Sequence, residues 1–173
     1  MMRGACLALV AAAVLGCGVP VAVERDPGAR YGAWKSWSWL PRSPVARGDT
    51  AWTLIDERVR SSFEREMKAR GLRKVERERP DFLVTYYAAL DAPIDAKAIA
   101  YAAGGPLGAR SAANAMGQYE QGSLLLDVLD AKSGKLVWRG AGRRVIEPEQ
   151  TPAERRERID AAVVSMVDEF TAR

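Results

Sequence analysis

Two stretches of this chain each carry one apolar stripe at helical spacing, and most of what lies between them alternates with a period of two. That combination leaves few folds open, because a helix with one apolar face must bury it against another layer. The first stretch runs from about Ala51 to Arg70, with Trp52, Ile55, Val59, Phe63 and Met67 three or four apart. Asp49 or Thr50 is placed to cap it and Gly71 to end it. Its outer face pairs Asp56 with Arg60, Glu64 with Lys68 and Glu66 with Arg70, acid four residues before base, each worth about 0.2–0.5 kcal/mol. The second opens at Thr151-Pro152-Ala153-Glu154, a capping-box pattern with proline at the first helical position. Its buried face is predicted to be Ile159, Val163, Met166, Val167 and Phe170.

The alternating segments read as strands. Val19, Val21 and Val23 share one parity, and Lys35 to Trp39 puts Trp37 and Trp39 on one face. Leu72 to Glu76 and Phe82 to Ala88 follow, then a hairpin of Gly122 to Asp130 and Lys135 to Ile146. Its loop, Ala131-Lys132-Ser133-Gly134, places glycine where such a loop turns left-handed. That register sets Val128 opposite Val137, Leu126 opposite Arg139, and Asp127 opposite Trp138. Asp127 and Trp138 thus become a candidate structural or binding pair, the carboxylate accepting the indole N–H. Asp130, three residues on, points to the other face and starts the turn. The predicted fold is α+β: a mainly antiparallel sheet of five or six strands with two helices packed on one face. The Ala/Gly-rich stretch from about 91 to 117 is too long for an ordinary connection and is read as a loop insert.

Residues 1–16 stand apart from this domain. Arg3 precedes an apolar run from Ala5 to Leu15, the length of a signal-peptide core (about 7–15 residues) and too short to span a bilayer. Val14-Leu15-Gly16-Cys17 then looks like a lipobox, with a small residue before the cleaved bond and a thiol to accept the diacylglyceryl group. Cys6 lies in the removed segment, so the mature chain 17–173 keeps a single cysteine, which lipidation (palmitate among the acyl chains) explains. Gly18, where enteric bacteria use aspartate to retain a lipoprotein in the inner membrane, directs the expectation to the outer membrane.

The chain contains no histidine. This removes the commonest general base and the commonest zinc ligand, and with them every Ser-His-Asp or Cys-His arrangement. The net charge of +4 is spread through interleaved signs, as in Glu64-Arg65-Glu66, with no basic stripe for nucleic acid. Gly104, Gly105 and Gly108 follow no strand and open no helix, so a phosphate loop is not indicated. No cofactor and no metal are expected. Trp34, Trp37, Trp39, Trp52 and Trp138 read as core, or alternatively as the wall of a carbohydrate or peptidoglycan groove.

Four stretches stand out: Tyr31 to Pro41 (YGAWKSWSWLP), Arg79 to Tyr86 (RPDFLVTY), Tyr119 to Asp130 (YEQGSLLLDVLD) and Leu136 to Gly140 (LVWRG). In this order and spacing they resemble a family of bacterial lipoproteins built on domain of unknown function 4136. The Ala/Gly-rich middle matches no pattern of that family. The resemblance implies a periplasm-facing, lipid-anchored domain and brings no established activity. The expected function is that of an outer-membrane lipoprotein of a Gram-negative envelope, a non-enzymatic binding or structural module. Its partners would be the membrane, through Cys17, and an envelope protein or cell-wall component. The alternative is a carboxylate-dependent envelope hydrolase acting on peptidoglycan or lipid, which a pair of acids converging in a pocket lined by Trp138 or Tyr86 would favour.

Overall fold

A computed structural model describes residues 19–40, 50–76, 78–88 and 122–172. Cys17 and the loop insert about 91–117 fall outside these residues, as does the side chain of Trp52. The elements are β1 (Val21–Arg25), a 3-10 turn (Tyr31–Ala33), β2 (Ser36–Trp39), α1 (Thr50–Ala69), β3 (Arg73–Lys74), β4 (Phe82–Ala88), β5 (Leu124–Asp130), β6 (Leu136–Gly142) and α2 (Pro152–Thr171). The six strands form one sheet in the order β1-β6-β5-β4-β2-β3.

β1, β6, β5 and β4 pair antiparallel in that order, as the alternation implied. β2 departs from that rule: it pairs parallel with both β4 and β3. Parallel neighbours need a crossover, and α1, lying between β2 and β3 in the chain, provides it. Asp81 locks this edge. Its carboxylate accepts the Lys35 and Ser36 backbone N–H groups, each at 2.8 Å, and the Ser36 hydroxyl at 2.9 Å. Those bonds hold its pKa below the usual carboxylate value.

Strand alternation sends Phe82, Val84, Tyr86, Leu124, Leu126, Val128 and Trp138 to one face. There they meet Ile55, Val59, Phe63 and Met67 of α1 and Ile159, Val163, Met166, Val167 and Phe170 of α2, the stripes read from the sequence. Arg58 pairs with Asp160 and Arg70 with Asp168, so the two helices run side by side in the same direction.

The start of α2 is as its sequence implies. Thr151 Oγ1 accepts the Glu154 N–H, and the Glu154 carboxylate accepts the Thr151 N–H at 2.8 Å. Thr151→Ala is expected to lower stability by about 0.5–2 kcal/mol in urea unfolding; no change would mean that the helix is held without its cap. β6 ends earlier than its apolar pattern suggests. Arg144 takes φ of 54°, and the chain bends so that the Val145 and Ile146 N–H groups both reach the Gly122 carbonyl. Gly122 has φ of 83°, and a Cβ there would lie 2.6 Å from the Ile146 carbonyl oxygen.

Candidate functional site

The β5–β6 hairpin turns as expected. Gly134 has φ of 68°, and Asp130 Oδ1 accepts both the N–H and the hydroxyl of Ser133 at 2.7 Å. Leu129 pairs with Leu136, as the four-residue loop requires, but Val128 pairs with Trp138. Val137 is therefore an extra residue, a β-bulge, and beyond it the register differs by one from the sequence reading. Asp127 consequently faces Arg139, not Trp138, and the candidate pair is not brought together.

The bulge places Trp138 and Asp127 on opposite faces. Trp138, 1% exposed, packs on the helix side with its ring 5.4 Å from that of Phe170, and its buried Nε1 has no hydrogen-bond partner among the described residues. Asp127 and Arg139 are 1% and 2% exposed on the other face, joined by two bonds of 2.6 Å from Nε and Nη2. The pair is the middle of a polar row across four strands, Thr85–Asp127–Arg139–Glu24. Burial raises the Asp127 carboxyl against the pull of Arg139. A carboxylate held through both oxygens by one buried arginine acts as a clamp between β5 and β6, with Glu24 of β1 as the next charge along the row.

A different place gathers accessible polar groups. Where the C-terminal ends of α1 and α2 meet the end of β1, a cleft of about 610 Å3 is lined by Arg25, Tyr31, Trp34, Lys35, Arg70, Leu72 and Phe170, among others. That size falls within the range of ligand pockets. Its floor is an aromatic cluster: Trp34 stacks on Phe82 at 5.1 Å between ring centroids, and Tyr31 meets Trp34 edge-on at 5.2 Å.

Its rim is cationic. Arg25 reaches across from β1 to the Phe170 carbonyl at 2.8 Å, serving the carbonyls at the end of α2, and lies 4.6 Å over the Tyr31 ring. Arg70 is shared between Glu66 and Asp168; burial opposes its charge, but the two carboxylates hold its pKa above the usual value. Lys35 is exposed and makes no ion pair among the described residues.

The tryptophans do not form one groove. Of the four tryptophans whose side chains are described, Trp34 alone lines this cleft. Trp37 and Trp138 are core, and Trp39 donates its Nε1 hydrogen to Glu64 at 2.8 Å beneath the Arg60 guanidinium. Tyr86 donates its hydroxyl hydrogen to Asp56, which also pairs with Arg60 at 2.8 Å. Among the described residues no three His, Cys, Asp or Glu side chains gather as a metal site, and no helix is long and apolar enough to cross a membrane.

A model of a domain of unknown function, DUF4136, matches residues 21–170. Among solved structures, a DUF4136 family protein from Bacteroides thetaiotaomicron is similar, with a TM-score of 0.54 and 11% identity over 87% of this chain and 96% of that one. A PDZ domain protein from Parabacteroides distasonis also matches, with a TM-score of 0.53 and 14% identity over 90% of this chain but only 36% of the other. At these identities the likeness is one of fold alone. No protein of curated function matches the sequence.

Proposed function

The chain belongs to the DUF4136 family, and we propose that it is an outer-membrane lipoprotein, anchored through Cys17 and facing the periplasm, that serves as a non-enzymatic binding module of the cell envelope. The observation that carries the binding half of this reading is the cleft at the helix C-termini, which joins an aromatic floor to the exposed cations Arg25 and Lys35. Such a rim suits a ligand bearing carboxylates, as cell-wall stem peptides do. The anchoring half rests on the sequence Val14-Leu15-Gly16-Cys17 after an apolar run, and the sorting on Gly18. The hydrolase remains the second reading: the Trp138 ring sits in apolar packing, with Glu24 and Asp26 lining a small pocket of about 200 Å3 beside its strand, and at Tyr86 the Asp56 carboxylate is engaged by the phenol and by Arg60.

Cys17→Ser is expected to leave the precursor uncleaved and to abolish incorporation of radiolabelled palmitate, while the wild-type protein fractionates with the outer membrane. A labelled, processed mutant would end the anchoring reading. For the cleft, the detergent-solubilised protein is expected to sediment with purified cell-wall sacculi, and Lys35→Glu to weaken retention roughly fivefold, the scale of one exposed charge pair. Wild-type protein that stays in solution would overturn wall binding, and release of soluble fragments from the sacculi would establish the hydrolase in its place.

A further inference from the structure

The domain has two distinct ends, and the chain enters at only one of them. β1 begins with Val21 opposite Gly142 and finishes with Arg25 at the C-terminal carbonyls of α2. It therefore runs alongside α2, and its start lies at the end where both helices begin. Val19 is buried there, within reach of a Cβ on Gly142. Cys17 is two residues earlier, and two residues of extended chain span at most about 7 Å. The ligand cleft is at the other end of α2, a helix of 20 residues and so about 30 Å long.

The end near the chain entry carries a second groove, of about 480 Å3, between the N-terminal halves of the two helices. Leu54, Ile55, Pro152 and Ile159 supply its apolar lining; of its three arginines Arg58 is paired with Asp160, and Arg155 and Arg156 make no ion pair among the described residues. Leu54 is 62% exposed, well above Val23 at 37%, the other exposed large apolar side chain among the described residues. Four more acids of this end, Glu147, Glu149, Glu154 and Glu157, lie together with Arg158 about a separate depression beside the start of α2. An apolar side chain projecting among arginines is the chemistry of a surface that sits in the headgroup region of a bilayer.

We infer that this groove rests on the membrane: Leu54 enters the headgroup boundary, Arg155 and Arg156 meet anionic lipid phosphates, and the glutamate side of α2 is tilted away. The inference rests on the Cys17 anchor and adds an orientation to it, in which the ligand cleft opens away from the bilayer. Once Cys17 is acylated the mature chain has no free thiol, so single labels can be placed at will. The test uses the lipidated protein in phosphatidylethanolamine–phosphatidylglycerol vesicles, with a fluorophore on Leu54→Cys, Lys35→Cys or Glu157→Cys and quenchers on the lipid chains. The label at 54 is expected to be quenched several-fold more than the labels at 35 and 157. Adding Arg155→Glu and Arg156→Glu should lower quenching at 54, as should replacing phosphatidylglycerol by phosphatidylcholine. Protein that floats with the vesicles but shows equal quenching at all three positions would overturn the orientation and leave the anchor standing. Protein that does not float would remove the anchor, and the orientation with it.

Discussion

Asp127→Asn is expected to destabilise the domain by about 3–5 kcal/mol, seen as a large fall in the urea midpoint. The register puts Asp127 against Arg139, and both are almost wholly buried. The asparagine oxygen can still accept a hydrogen bond, but the substitution removes the buried carboxylate charge that the Arg139 guanidinium is paired with. Had the partner been the Trp138 indole, the same substitution would be mild. Removing both charges together, Asp127→Leu with Arg139→Met, should recover most of the loss, since desolvating the pair costs much of what its attraction returns. A single Asp127→Asn protein that unfolds like wild type would show that the two side chains do not meet.

Trp138→Ala is expected to cost about 3–5 kcal/mol through lost packing against Phe170 and the core. Trp138→Phe should be much milder, because the indole nitrogen makes no hydrogen bond among the described residues that could be lost. The same ring explains Gly140. A Cβ at that position would run into the Trp138 ring, with Met166 Cγ at 3.2 Å on the far side. Gly140→Ala should therefore cost about 1–3 kcal/mol by overpacking. On a Trp138→Leu background that cost should shrink, giving a clear coupling energy in a double-mutant cycle. Additive effects would mean that the indole does not lie over Gly140.

What the sequence made legible was whatever depends on neighbours along the chain. Helical spacing identified both apolar stripes, and the capping box at Thr151 and the turn at Asp130–Gly134 are local hydrogen-bond patterns that the structure reproduces. The parallel pairing of β2 was within reach, since a 20-residue helix between two strands is the connection that parallel neighbours need. The cleft was not, because it is assembled from the ends of elements far apart in the chain, Arg25, Lys35, Arg70 and Phe170 among them.

The hairpin register separates the two kinds of information most sharply. Its loop set the pairing of Leu129 with Leu136, and that much followed from four residues. The bulge at Val137 is held by distant partners. Its carbonyl accepts the Asp26 N–H at 2.7 Å and the Tyr31 hydroxyl at 2.6 Å, from residues more than a hundred positions away. A one-residue shift moves every later side chain to the other face, which sent Trp138 to the helices and Arg139 to Asp127. Periodicity, caps and turns are short-range properties that the sequence by itself determined. Which face each residue of β6 shows depended on hydrogen bonds formed only when β1 and its turn docked beside it, and that only the tertiary structure decided.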